Sequence, residues 1–525
     1  MADHDVLVIG AGFAGMYQLH LLRQRGFDVV VIEAGDDVGG TWFWNRYPGA
    51  RCDIESIEYS YSFDVDLEQE WTWTERYAAQ PELLRYARHV ADRFDLRRDI
   101  VFGTRVEALD WDEVARHWTV STSDGTTRTA SYVVAATGCL SVPSRPGIVG
   151  LDDFGGELYW TSSWPDGVDL AGKRVGVIGT GSSGLQTITA IAPAVGSLTV
   201  FQRTACYAVP AHNGPVADLL PTVKADYPAR RAVSRMTPSG YQCPVETTSL
   251  SEIPASETSA ALDKRWDVGG LCFTDTFDDV LIDPAANERV SAYVRERIRA
   301  KVEDPAVAEK LLPTFPIATK RLCVDTGYYE VYNQDNVTLV DITEEPIERV
   351  TARGIRAGGA EHELDLIIMA TGFDAMTGAL DAMEVRNADR TLRAKWEHGP
   401  RTYLGLMSAG FPNLFTICGP QSPSVLSNVI TSLEYHVVWI TDALTSLRDR
   451  GLSRIEPLTE NEDNWVQANN DLADLTLMPQ AASWYMGANI PGKQRVFMPF
   501  VGGVGMYKQI ADGVAAAGYY GFELS

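Results

Sequence analysis

Short apolar runs and stretches of helical spacing alternate along the first part of this chain. Residues 5–9 (DVLVI) predict a strand, and a helical pattern through Leu19, Leu22 and Arg23 follows it. A second apolar run, Val29 to Ile32, ends in Glu33. Between the first strand and the helix lies Gly10-Ala11-Gly12-Phe13-Ala14-Gly15. Residues 80–94 (QPELLRYARHVADRF) place Leu83, Leu84, Tyr86, Val90 and Phe94 at apolar positions of a helix. Tyr132–Ala136 predicts a strand that runs into Thr137-Gly138.

The same grammar then returns. Arg174–Ile178 predicts a strand, residues 179–184 (GTGSSG) repeat the glycine spacing, and a helix starts at Leu185. The next strand, Leu198–Phe201, ends in Gln202-Arg203-Thr204. From about residue 220 to 312 the spacing is helical and charged, with few turn signals. Pro313 and Pro316 close that region, and Ala318-Thr319-Lys320-Arg321 follows in a loop. Val337–Val340 and Leu366–Ala370 predict two more strands, the second running into Thr371-Gly372-Phe373-Asp374. Glycine-rich loops return in the last third, among them residues 419–423 (GPQSP) and 483–487 (SWYMG). The fold class is therefore α/β, with two Rossmann-like dinucleotide-binding domains and a helical insertion.

Composition narrows the field. A length of 525 residues suits two or three domains with full cores. The net charge of -25 argues against a nucleic-acid partner or an anionic membrane surface. No apolar run approaches the ~20 residues of a membrane span, and no signal peptide opens the chain, so a soluble, cytoplasmic protein is expected. The seven cysteines are scattered with no CxxC pair, which predicts free thiols in a reducing compartment. The eight histidines form no metal-ligand cluster.

Strand, GxGxxG, helix, strand and acid, with the acid about 20 residues beyond the glycines, is the full context of a dinucleotide site. Gly10 makes the tight turn, Gly12 lets backbone reach a pyrophosphate, and Gly15 permits close helix packing. The helix N-terminus stabilises the phosphate charge, and Glu33 can accept hydrogen bonds from ribose hydroxyls. In the second unit the position of that acid holds Arg203 followed by Thr204. An acid there would repel a 2′-phosphate, whereas a guanidinium pairs with it, so the second nucleotide is NADP rather than NAD.

Gly39 to Asp53 (GGTWFWNRYPGARCD) combines paired glycines, flat aromatics and charge in one segment just beyond the first unit. Together with the two Rossmann units, Lys320-Arg321 and the two Ala-Thr-Gly turns, it resembles the flavin-dependent Baeyer–Villiger monooxygenases over essentially the whole chain. Gly39, Gly40, Trp42, Tyr47, Pro48, Gly49 and Asp53 fall at every position of that family's N-terminal signature. The resemblance implies FAD in the first unit and NADPH in the second. It also implies insertion of one oxygen atom from O2 next to a ketone carbonyl, through a C4a-peroxyflavin and a Criegee adduct. By the same resemblance, residues 1–140 and 385–525 form the FAD domain, 141–220 and 331–384 the NADP domain, and 221–330 a helical subdomain inserted in the latter.

Residue roles follow from that resemblance. Arg321 is the essential cation, and Asp53 holds it. Gly10, Gly12, Ala14, Gly15, Glu33, Gly40, Thr41, Trp42, Trp44, Arg51, Cys52, Asp53, Tyr59, Val106 and Val429 line the FAD site. Gly179, Gly181, Ser182, Ser183, Gly184, Gln186, Arg203, Thr204, Lys320, Arg321 and Trp484 belong with NADPH. Ser424, Val425 and Leu426 lie where the flavin and substrate walls meet, and their apolar character fits a neutral ketone. One position departs from the family. In the second signature, FxGxxxHxxxW, Phe154, Gly156 and Trp164 match, but Trp160 replaces the histidine. Either Trp160 substitutes sterically at an interdomain hinge, or it marks altered coupling. An alternative function keeps the cofactors and oxidises sulfur or nitrogen. A disulfide reductase would need a close cysteine partner for Cys52, and the sequence offers none.

Overall fold

The computed structural model describes residues 2–525. The two glycine turns are built alike and set the architecture. In the first unit, strand His4–Ile9 passes through Gly10 into helix Phe13–Gln24; in the second, strand Arg174–Ile178 passes through Gly179 into helix Ser182–Ile191. Gly10 and Gly179 have φ of +101° and +107°, and a Cβ on them would lie 2.8 and 2.4 Å from the carbonyl oxygens of Ala136 and Ala370. Each of those alanines begins an Ala-Thr-Gly exit from a neighbouring parallel strand. A Cβ on Gly15 or Gly184 would lie 1.8 or 2.1 Å from the carbonyl oxygen of Gly10 or Gly179. No side chain fits there, so the helix can close on its own turn only with glycine.

The first sheet has a parallel centre in the order Ile100–Val101, Val29–Ile32, His4–Ile9, Thr127–Ala135 and Leu414–Thr416. The hairpin of Val106–Asp112 and His117–Thr122 joins it antiparallel through Thr127–Ala135. Glu384–Asn387 then adds beside Val106–Asp112. Chain from both ends thus builds one sheet. The second sheet is wholly parallel, in the order Val337–Asp341, Ser197–Gln202, Arg174–Ile178, Leu366–Met369 and Glu157–Trp160. Val6, Leu7, Val8, Val175, Val177, Leu366, Ile367 and Ile368 are fully buried, as expected for strands covered on both faces.

Helix Leu220–Ser234 of the insertion contains Pro228 and docks on the N-terminal segment through Arg231. Arg231 Nε donates to Glu68 Oε1 at 2.9 Å, Nη2 to Ser60 Oγ at 2.6 Å and Nη1 to the Glu58 carbonyl at 3.1 Å. A buried guanidinium so fully engaged makes this seam specific as well as tight. Further helices span Thr258–Val268, Pro284–Lys301 and Pro305–Lys310, but residues 235–249 are turns and coil. The helical expectation was too continuous there, because Pro238, Gly240 and Pro244 interrupt it.

The cysteine expectation needs correction. Cys243 and Cys272 form a disulfide with a Cα–Cα distance of 5.6 Å, leaving Cys52, Cys139, Cys206, Cys323 and Cys418 as free thiols. The pair stands 29 positions apart in sequence, and only the folding of the insertion brings them together. The argument from cysteine usage to a reducing compartment therefore fails. No helix among the described residues is long and apolar enough to cross a membrane.

Candidate active site

Arg321 sits where the two nucleotide units and the insertion meet. Its Nε donates to Asp53 Oδ2 at 2.8 Å and its Nη2 to Asp53 Oδ1 at 2.7 Å, a two-pronged pair across 268 residues of sequence. Nη1 donates to the Val425 carbonyl at 3.0 Å. Burial disfavours the charge, but the Asp53 carboxylate outweighs it and holds the guanidinium well above its ordinary pKa. The side chain still keeps 21% of its surface open, so a charged fork faces free space inside the molecule.

The stretch that carries Asp53 is fastened from both sides. Thr41–Trp44 is a short helical turn, with Gly40 at φ +51°. A Cβ on Gly40 would lie 2.9 Å from the Cα of Gly12, so the paired glycines abut the first nucleotide turn. Trp42 is buried, and its Nε1 donates to the Tyr59 hydroxyl at 3.2 Å. Thr41 and Trp44 are exposed. Gly49, at φ +82°, would place a Cβ 2.4 Å from the Gln186 carbonyl oxygen, so this loop touches the second nucleotide helix backbone to backbone. Gln186 Oε1 accepts from the Tyr47 hydroxyl at 2.8 Å, and its Nε2 donates to the Arg51 carbonyl at 3.1 Å. Its amide is spent on this seam instead of facing the pyrophosphate turn.

Other members of the expected set are also engaged. Arg51 Nη1 donates to Glu75 Oε2 and to the Tyr77 carbonyl, both at 2.8 Å, which turns it toward the protein. Cys52 is buried, accepts the Ile54 N–H at 3.4 Å and has no cysteine partner; burial pushes its thiol pKa up. Glu33 accepts from the backbone N–H of Ala11 at 2.6 Å and of Gly35 at 2.7 Å, and its burial raises its pKa. Ala14 is half-buried beside the glycine turn, and Val106 is buried at the start of its strand.

The second nucleotide turn offers a cradle. A Cβ on Gly181 would meet nothing within 4 Å, so backbone faces open space there. Ser182 and Ser183 begin the helix at that turn, and Ser182 Oγ lies 3.5 Å from Cys323 Sγ. Arg203 and Thr204 are exposed just beyond the adjoining strand, and the Thr204 carbonyl accepts from Thr180 Oγ1 at 2.9 Å. Lys320 Nζ stands 4.6 Å from the Phe315 ring centroid. Its pKa is lowered by burial and by the charge of Arg203. Two cations from segments over 100 residues apart thus repel each other, and among the described residues no carboxylate pairs with either. Such an arrangement fits a phosphate dianion.

Trp484 belongs to a short helical turn, Trp484–Met486, and packs against Tyr485 with ring centroids 4.3 Å apart. Ser424 is buried at φ +41°, and its Oγ donates to the Cys418 carbonyl at 3.2 Å. Val425 and Leu426 are half-buried in the apolar cluster that holds Trp484 and Met486. Val429 opens helix Val429–Asp449, capped by Asn428. The loop after Trp484 is pinned to the second sheet, with Asn489 Nδ2 donating to the Phe373 carbonyl at 2.7 Å and Lys493 paired with Asp374. Trp160 ends the edge strand Glu157–Trp160, with the Arg145 guanidinium 5.2 Å from its ring centroid, and its Nε1 has no partner among the described residues.

Sequence reasoning missed Tyr485, Tyr241 and Asp275, which the fold brings within electrostatic reach of Arg321. Tyr485 lies in the stretch 483–487, where only Trp484 drew attention, and the other two lie in no motif. Tyr241 and Asp275 come from the insertion, where spacing predicted only helices.

Comparison with known proteins shows the family. A family model described as pyridine nucleotide-disulphide oxidoreductase matches residues 7–229. A Baeyer-Villiger monooxygenase from Pseudooceanicola batsensis is 43% identical over 99% of this chain and 96% of its own length. The chain belongs to the flavin-dependent Baeyer–Villiger monooxygenases. Among solved structures, cyclohexanone monooxygenase from Rhodococcus sp. Phi1 bound to NADP+ is 44% identical, with a TM-score of 0.97 over 99% of both chains. An oxidized steroid monooxygenase bound to NADP is 50% identical, with a TM-score of 0.95 over 99% of both chains. Like them, this member of the family has two dinucleotide-binding units. The disulfide chemistry in the family model's description has no counterpart at Cys52, which lacks a thiol partner.

Proposed function

We propose that this chain catalyses NADPH- and O2-dependent insertion of one oxygen atom next to a ketone carbonyl, giving an ester or lactone, with FAD as resident cofactor. The observation that carries this reading is the Arg321–Asp53 fork, buried yet open on one side. Gly10, Gly12, Gly15, Glu33, Gly40, Trp42, Tyr59, Val106 and Val429 would hold FAD, within a domain of residues 1–140 and 385–525. Gly179, Gly181, Ser182, Ser183, Gly184, Arg203, Thr204, Lys320 and Trp484 would hold NADPH, within 141–220 and 331–384. Bound there, the two cofactors supply the hydride and the activated oxygen.

The protein's own part is electrostatic. Ketone oxygenation develops negative charge on oxygen, first on the nucleophile and then on the former carbonyl. Arg321 cannot lose its proton at working pH, so it stabilises that charge throughout. Asp53 and the Val425 carbonyl fix the fork's direction, so little reorganisation is needed during reaction. Val425, Leu426 and Trp484 exclude water with apolar surface, which strengthens the same interactions.

Purified, FAD-loaded protein supplied with NADPH, oxygen and cyclohexanone should form caprolactone in proportion to the NADPH consumed, as followed by gas chromatography. NADPH consumption that yields only hydrogen peroxide with cyclohexanone and with every member of a panel of cyclic and linear ketones would refute the reading. Oxygenation of a sulfide needs no anion stabilisation, so Arg321→Ala should depress lactone formation far more than sulfoxidation.

A further inference from the structure

Asp275 is a carboxylate for which the reaction just described has no use. It ends the short helix Cys272–Asp275 in the insertion and lies deep in the molecule, yet its surface is exposed. The two facts together mean that it faces an internal chamber. Arg321 borders the same region: Tyr241, whose hydroxyl binds Asp275, lines one cavity with Asp53, the partner of Arg321, and the Ser239 carbonyl accepts from the Asn428 N–H at 2.7 Å, beside the Val425–Leu426 turn.

The partners of Asp275 are hydroxyls among the described residues. Oδ2 accepts from the Tyr241 hydroxyl and from Ser239 Oγ at 2.7 Å. Oδ1 has only a 3.5 Å approach from Thr274 Oγ1, well beyond the usual length of such a bond. Oδ2 thus carries both hydroxyls, while Oδ1 of this exposed side chain has no close partner among the described residues. The Cys243–Cys272 disulfide ties the segment bearing Ser239 and Tyr241 to the helix bearing Asp275, so the arrangement is pre-organised. Taking a carboxylate out of water costs several kcal/mol, and burial accordingly pushes Asp275 above the ordinary carboxylate range. Two hydroxyl donors offset part of that cost, and a donor arriving at Oδ1 would offset more.

We infer that Asp275, held by Tyr241 and Ser239, is a specificity-determining residue that accepts a hydrogen bond from a hydroxyl group on the substrate, so that the preferred substrate is a hydroxy ketone. The inference deepens the proposed function and rests on it. A neutral donor is favoured over an ammonium group because Arg321, held by Asp53 and the Val425 carbonyl, already places a cation beside that cavity, and Val425 and Leu426 contribute apolar wall.

The test uses the FAD-loaded enzyme and methyl ketones of graded chain length. Each is assayed with and without a terminal hydroxyl, against an alkyl partner of equal heavy-atom count. At one chain length the hydroxy ketone should exceed its partner in kcat/KM by roughly 10- to 100-fold, as a hydrogen bond to a charged acceptor supplies. The preference should appear mainly in KM, vanish in Asp275→Ala and weaken in Tyr241→Phe. Absence of any preference in the wild-type enzyme, or its survival in Asp275→Ala, would overturn the inference. If the alanine variant does not retain flavin, Asp275→Asn decides: a reduced ratio supports the assignment and an unchanged one overturns it. Failure of the underlying function is distinguishable, since no ketone of either series would then yield an ester.

Discussion

Replacing Lys320 with alanine should weaken NADPH and leave NADH untouched. Arg203 and Lys320 face each other without a carboxylate between them, and Arg203 already depresses the Lys320 pKa. At an effective dielectric constant of about 20, one unit charge pair at ~4 Å is worth about 4 kcal/mol. Competing hydration reduces the net gain of a charge-assisted hydrogen bond to about 1.5–3 kcal/mol. Loss of Lys320 therefore raises the NADPH dissociation constant roughly 10- to 150-fold, and Arg203→Ala does the same. NADH carries no 2′-phosphate, so both variants should bind it as the wild type does. A second signature concerns pH. Phosphate favours protonated Lys320, whose pKa is lowered in the free protein, so NADPH affinity falls as pH rises through that lowered value. NADH affinity shows no such fall, and Lys320→Arg removes it for NADPH. Steady-state KM and equilibrium titration with both nucleotides, from neutral pH upward and at two salt concentrations, read every arm. Equal weakening of NADPH and NADH would refute the reasoning, because it would place the cations on a part that both nucleotides share.

Further outcomes follow from the same geometry. Arg321→Ala should lower kcat for ester formation by roughly 100- to 1,000-fold, the usual cost of losing one charge-stabilising group, while hydride transfer from NADPH, followed by flavin absorbance, persists. Gly49→Ala should destabilise the fold by about 2–5 kcal/mol in denaturant titrations, combining the cost of φ +82° with contact against the Gln186 carbonyl. Burial holds His436 at a pKa of about 3, below its ordinary 6.5, with Nδ1 accepting the Cys418 N–H at 3.0 Å. Its neutral form is the folded one, so its contribution is complete above pH 6.5 and is lost on acidification toward pH 3. Stability should drop by about 1.4 kcal/mol per pH unit in that window, a slope that His436→Gln removes. Replacing Cys243 and Cys272 with alanine should lower Tm by the equivalent of about 3 kcal/mol, and reductant should do the same to the wild-type protein.

The two nucleotide units were legible because their chemistry is local. Strand, glycine turn, helix and acid are consecutive, and the turn's steric demands, such as the absent Cβ at Gly15, are set by residues a few places away. Strand positions at residues 29–32 and 174–178 agree with the apolar runs for the same reason. The Arg203-Thr204 pair at a strand end was equally local, as was the glycine and aromatic content of residues 39–53. The role of Arg321 came from resemblance; its charge alone would have suited a surface ion pair.

What only the tertiary structure decided involves partners distant in the chain. Spacing could not show that Asp53 grips Arg321 from 268 residues away, or that Gln186 turns to Tyr47 and Arg51 instead of toward the phosphate turn. Nor could it show the Cys243–Cys272 bridge or the exposure of Asp275 to the inner chamber. In the insertion, periodicity indicates which face of a helix is apolar, but it carries no information about what that face or its polar neighbours will meet. Local motifs therefore determined that two nucleotides are bound. Long-range packing determined what surrounds the reacting atoms, because a side chain's pKa, direction and partners depend on whatever the rest of the chain folds against it.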